Sequence, residues 1–224
     1  MLQEEKLQNL KKELVEFATL VERMIEKSIK GLVSRDKTLL MEVLHNDESN
    51  ANNLDIRLDE LCTSLIAQYQ PMAKDLRTIL MVFKMNDDLE RMADHAVNIS
   101  ESGLYLLDNP SVKPLIDIPE MQETVARMVT DSITAFINEN AALAKDVCAR
   151  DNIIDSLRDK VYRELILVMS NDSSTIERSL HLMRITRNLE RIADLTTNIC
   201  EDVIFMVEGK VIKHHKANGE HWDA

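Results

Sequence analysis

Apolar residues recur along most of this chain at alternating spacings of three and four, the period of an amphipathic helix. Leu7, Leu10, Leu14, Phe17, Val21 and Met24 form the first such seam and predict a helix from about residue 4 to 34. A second seam, Leu44, Ala51, Leu54, Leu58, Leu61 and Leu65, ends near Gln70-Pro71, because proline disfavours helical geometry at the residue before it. A third resumes after Pro71 and carries Leu76, Ile79, Leu80, Phe83, Leu89, Met92, Ala96 and Ile99 to about residue 107.

Three of the four prolines, Pro110, Pro114 and Pro119, then fall together in the segment DNPSVKPLIDIP. Its missing amide donors break a helix, so 110–119 reads as a linker. Beyond it the scheme repeats. Met121, Val125, Met128, Ser132 and Phe136 open one helix, and Ile154, Leu157, Val161, Leu165 and Val168 supply another. The polar run Asn171-Asp172-Ser173-Ser174 precedes a last helix, about 175–208, that uses Leu180, Met183, Leu189, Ile192, Ile199, Val203 and Met206. The pattern predicts an all-α fold of six long helices in two tandem, pseudo-symmetric antiparallel three-helix bundles, 1–109 and 120–212, with a polar tail at 213–224.

The repetition extends to the letters. Residues 87–101 read DDLERMADHAVNISE and residues 187–201 read RNLERIADLTTNICE, identical at eight of fifteen positions. Ordinary residue frequencies would give about one identity, so a duplicated unit is the economical explanation.

Composition narrows the class. The 224 residues include only 4 Gly and 4 Pro, where average usage gives roughly 27 of the two together, which argues against a β-rich fold. The formal net charge of −12 repels phosphate backbones and speaks against general nucleic-acid binding. Cys62, Cys148 and Cys200, odd in number and widely spaced, fit neither a disulfide framework nor a CxxC metal site and suggest a reducing cytoplasm. No apolar stretch approaches membrane-spanning length, so membrane contact is expected only through a partner.

The chemistry lies in the repeated motif. Glu90 and Asp94, and equally Glu190 and Asp194, stand at i and i+4 on one helix face. Two like charges so placed cost a few tenths of a kcal/mol in an isolated helix, which a bound cation would remove. An acidic i,i+4 pair is common in so acidic a chain and is often a solvated face. What raises the signal is the hairpin partner. A turn near 172 brings Asp151 and Asp155 level with Asp194 and Glu190, and a turn near 70–72 brings Glu48 and Asn52 level with Asp94 and Glu90. Hard oxygen ligands without Cys or paired His suit Mg, Mn, Ca or iron.

The duplicated LERxADxxxNIxE, the loop QPMAKDLR at 70–77 and the ending NICEDVIFMVEGKVIKH at 198–214 resemble the PhoU family of bacterial phosphate-signalling regulators over essentially the whole chain. The resemblance implies two tandem three-helix bundles whose E(D)xxxD pairs bind divalent or multinuclear metal, whether iron, manganese, magnesium or zinc. By position those ligands would be Glu48, Asn52, Glu90 and Asp94 in the first bundle and Asp151, Asp155, Glu190 and Asp194 in the second. It also implies a cytoplasmic, non-enzymatic negative regulator of phosphate transport, linking the ATPase PstB of the phosphate ABC transporter with the sensor kinase PhoR. Separately, exposed helical seams are expected to allow a homodimer. Where the family often has Gly, this chain has Ala93 and Ala193, a change that favours helix. Asn52 supplies an amide oxygen in place of a carboxylate, so a weaker first site is expected.

Two alternatives come from other classes: a metal-free helical adapter, and a metal-dependent phosphohydrolase, which the lack of His ligands, Gly-rich loops and an evident base disfavours. Glu42-x-x-His45 has di-iron spacing but no second copy in the other half. His95 reads as a partly exposed imidazole, and Arg91 and Arg191 as ion-pair partners of the acidic face or contacts for an acidic ligand such as phosphate.

Overall fold

The computed structural model describes residues 4–208. Its elements are α1 (Glu4–Ser34), α2 (Lys37–Glu42), a π-helical turn (Val43–Asp47), α3 (Glu48–Tyr69), α4 (Ala73–Leu107), α5 (Asp117–Ile137), α6 (Ala141–Asn171), a 3-10 turn (Ser173–Thr175) and α7 (Ile176–Glu208). Because α2, the π turn and α3 run on without a break, the first half is three long helices, like the second. The polar tail at 213–224, with the last residues of the second repeat, lies outside the described residues.

Local signals set several of the ends. Asp36 caps α2 by accepting from the Thr38 amide at 2.9 Å, and Asn140 caps α6 through the Leu143 amide at 3.1 Å. Gln70 takes a left-handed conformation, φ 44°, and closes α3 one residue before Pro71. The prolines act differently from one another. Pro110 and Pro114 lie between α4 and α5, but α5 already begins at Asp117, inside the segment read as a linker. Pro119 is its third residue, where the amide has no intrahelical acceptor to lose.

In the first bundle α1 and α3 flank α4, and in the second α5, α6 and α7 all touch one another. The bundles join along α4 against α7 and α1 against α5, so one continuous core runs through both. This explains why α4 and α7 bury more than one stripe each. Small residues are buried on these two helices: Ala93 and Ser100 on α4, and Ala193, Thr186 and Thr196 on α7. These three hydroxyls are satisfied by their own helices, bonding the Ala96, Leu182 and Ile192 carbonyls.

Glycine has a definite use at one crossing. Leu40 of α2 is fully buried between Gly31 of α1 and Gly103 of α4. A Cβ at Gly31 would stand 2.8 Å from the Leu40 Cδ2, so the short helix reaches the core only because that side chain is missing. Among the described residues, no helix is long and apolar enough to cross a membrane.

Candidate functional site

The hairpin register decides which acidic residues can meet. In the second bundle the Tyr162 hydroxyl donates to the Met183 carbonyl at 3.3 Å, and the Cys148 thiol points to the Thr197 carbonyl at 4.0 Å. This antiparallel register puts Asp155 level with Glu190 and Asp151 level with Asp194. In the first, the Cys62 thiol lies 3.8 Å from the Ile79 carbonyl and Asn86 Nδ2 donates to the Asp55 carbonyl at 3.0 Å. There Asn52 is level with Glu90, and Glu48 with Asp94.

At the centre of the second stripe stands a residue that the spacing argument passed over. Arg158 Nη1 donates to Asp155 Oδ1 at 3.0 Å and to Glu190 Oε1 at 2.9 Å, so one guanidinium joins the carboxylates across the hairpin. Its other nitrogens bond Asp159. Arg191 Nη1 holds Asp194 Oδ2 at 3.1 Å and its Nε lies 3.7 Å from Glu190 Oε2. Asp151 is buried, with 2% of its surface exposed. The signal for Arg158 was in the sequence, three residues beyond Asp155 and thus on the same helix face.

The first stripe has the opposite electrostatics. Asp55, three residues beyond Asn52, occupies the place that Arg158 has beyond Asp155, by the same 103-residue offset that relates Glu48 to Asp151. Asp87 likewise stands where the second repeat has Arg187. Asn86 Nδ2 is drawn in among these acids, reaching Asp55 Oδ1 at 2.6 Å and Asp59 Oδ1 at 2.9 Å. Burial pushes the Glu90 carboxyl above its ordinary value, and the negative charges of Asp94, Asp55 and Asp87 push it further, against a weaker pull from Arg91. Burial and then Asp59 and Asp87 raise Asp55 in the same way. Among the described residues no ion pair reaches Asp55, Asp59, Asp87, Glu90 or Asp94, and no hydrogen bond or ion pair holds the Glu48 or Asn52 side chain.

Two tests bear on a metal. The donor set is carboxylate and amide oxygen, the chemistry of a hard divalent cation. The arrangement is less favourable: among the described residues no three His, Cys, Asp or Glu side chains close on one point. In the second bundle the Arg158 guanidinium stands between the carboxylates that an ion would share. The first bundle presents its carboxylates without a guanidinium placed between them in this way.

His95 is half-buried and not merely surface-lying. Its Nδ1 lies 2.8 Å from Asn188 Oδ1, across the seam between the bundles. Asn188 Nδ2 already donates to the Arg184 carbonyl, so Oδ1 accepts and His95 carries its proton on Nδ1. Close by, Tyr105 stacks on His181 with ring centroids 4.0 Å apart.

Comparison with known proteins agrees with this two-repeat architecture. The PhoU domain profile matches twice, at residues 14–103 and 118–203. The phosphate-specific transport system accessory protein PhoU homolog of Aquifex aeolicus is 37% identical over 216 residues, covering 96% of this chain and 97% of its own. PhoU homolog 2 of Thermotoga maritima is 32% identical, covering 93% and 88%. The crystal structure of PhoU from Pseudomonas aeruginosa superposes with a TM-score of 0.87 at 30% identity, over 92% of this chain and 98% of that one. The PhoU structure from Streptococcus pneumoniae gives a TM-score of 0.84 at 26% identity, over 92% and 97%. With both repeats matched and nearly the full length covered, the chain belongs to the PhoU family of phosphate transport regulatory proteins, which are not enzymes.

Proposed function

We propose that this protein is a cytoplasmic helical adapter that restrains phosphate uptake and the phosphate-starvation response when phosphate is plentiful. It acts by docking on the ATPase of the phosphate ABC transporter, PstB-like, and on a PhoR-like sensor kinase. The observation that carries the reading is the full-length, two-repeat likeness to named phosphate transport accessory proteins. Exposed apolar side chains support docking: Leu80 and Leu180 stand at equivalent positions of the two repeats and are 50% and 54% exposed.

The second acidic stripe needs no metal in this reading, because Arg158 supplies the positive charge that holds Asp155 and Glu190 together. Deleting the gene and following a phosphate-starvation reporter in high phosphate tests the regulatory role. The expected result is derepression; a reporter that stays repressed overturns it.

A second reading concerns the first bundle, where Glu90, Asp94 and Asp55 crowd with only a weak pull from Arg91 and the Glu90 carboxyl is raised. A divalent ion would relieve that repulsion, and Glu90, Asp94 and Asp55 would hold it. Manganese binding followed by equilibrium dialysis should then weaken in Glu90→Gln and stay unchanged in Glu190→Gln. Equal binding by all three proteins counts against the reading.

A further inference from the structure

The chain is strongly acidic, yet four of its arginines gather at one cleft. Arg91, His95 and Asn98 of α4 and Arg184, Arg187, Asn188 and Arg191 of α7 line an open depression of about 510 Å³ on the seam between the bundles. All the charged groups in this lining are guanidinium groups.

Their neighbours do not explain the gathering. Arg191 is held by Asp194, and Arg91 lies 3.8 Å from Asp88. Arg184 and Arg187, both exposed, form no ion pair among the described residues.

The internal repeat supplies a control. At the hundred-residue offset, Arg184, Arg187, Asn188 and His95 correspond to Lys84, Asp87, Asp88 and Leu195. Lys84 is neutralised by Asp202, and Asp88 is buried. The same scaffold therefore carries mixed charge at one set of positions, whereas at the other the charged side chains lining the cleft are all arginines. Acidic residues are absent where the cleft opens, replaced by Arg187 and Asn188.

The remaining polar groups are set to assist. His95 gives its Nδ1 proton to Asn188, which fixes the ring at the cleft. Planar guanidinium forks match the oxygens of a phosphoryl group and bind it through paired, charge-assisted hydrogen bonds. We propose that this cleft is a binding site for a phosphoryl-bearing anion, held by Arg184 and Arg187 with Arg91 and Arg191. The assignment stands on the cleft and is independent of the regulatory reading, so either can fail alone.

Calorimetric titration of the full-length protein, stripped of metal with EDTA, tests it. One arm uses inorganic phosphate and the other ATP without magnesium, which separates free phosphate from a nucleotide as the source of the group. Wild type is compared with the double variant Arg184→Ala/Arg187→Ala and with Arg163→Ala, an exposed arginine outside the cleft. Both substituted cleft residues are exposed, so the fold should survive, and a thermal melt checks it. Binding of either anion by wild type and Arg163→Ala, weakened at least about tenfold in the double variant, supports the site. Equal affinity in all three proteins, or no binding of either anion at about 10 mM, overturns it.

Discussion

The two bundles share a three-helix plan but have opposite electrostatics on their acidic faces. In the second, Arg158 joins Asp155 to Glu190 and Arg191 holds Asp194. In the first, the residue in the place of Arg158 is Asp55, and the cluster is left with an amide, Asn86, as its nearest donor. Duplication thus conserved the Glu-x-x-x-Asp stripe while changing what balances it. Counting carboxylates alone favours the second bundle as the stronger cation site; counting the guanidinium beside them favours the first.

The comparison can be broken most forcefully at Arg158. Arg158→Ala leaves Asp155 and Glu190 facing each other across the hairpin and should cost about 1–3 kcal/mol, the range for stripping a partly buried carboxylate of its charged partner. Asp55→Ala, at the equivalent place, should change stability by no more than about 0.5 kcal/mol, or raise it. Urea denaturation in EDTA measures both, and similar losses would erase the distinction. A smaller effect runs in the other direction. Asp55→Arg copies the second bundle into the first and should stabilise the metal-free protein by about 0.5–1 kcal/mol, seen as a higher denaturation midpoint. The smallest effect is that of salt. Raising sodium chloride toward 1 M shortens the screening length to about 3 Å. Wild type should therefore gain a few tenths of a kcal/mol that Asp55→Arg does not. Equal salt responses would remove repulsion from the account.

Much of the fold could be read in the sequence because a three-and-four seam reports burial directly. The seam from Leu7 to Met24 marks α1, found at Glu4–Ser34, and the polar run before 175 marks the start of α7 at Ile176. Pro119 misled for a physical reason: a proline in the first turn costs a helix no hydrogen bond. The π turn at Val43–Asp47 was not legible, since a single added residue leaves the apolar pattern almost unchanged. Nor was the pairing of α4 with α7. Periodicity says which face is buried and not what covers it, so His95 reads correctly as partly exposed, but its bond across the two bundles was not legible. At the acidic faces, spacing placed Asp155 level with Glu190 and put Arg158 on the same face, but did not say which carboxylates its guanidinium joins. That choice rests on a rotamer of Arg158, which no spacing rule contains.

The central claim is that the first stripe is repulsive and the second is closed by its own arginine. Thermal melts of metal-free Glu90→Gln and Glu190→Gln, side by side with wild type, test it most directly. Removing the Glu90 charge relieves its burial cost and its repulsion with Asp94, Asp55 and Asp87 and should raise the melting temperature, with a gain of a few tenths of a kcal/mol in stability. Removing the Glu190 charge weakens its bond from Arg158 and should lower it by about 1 kcal/mol. Opposite signs are the predicted result; shifts of the same sign would contradict the account.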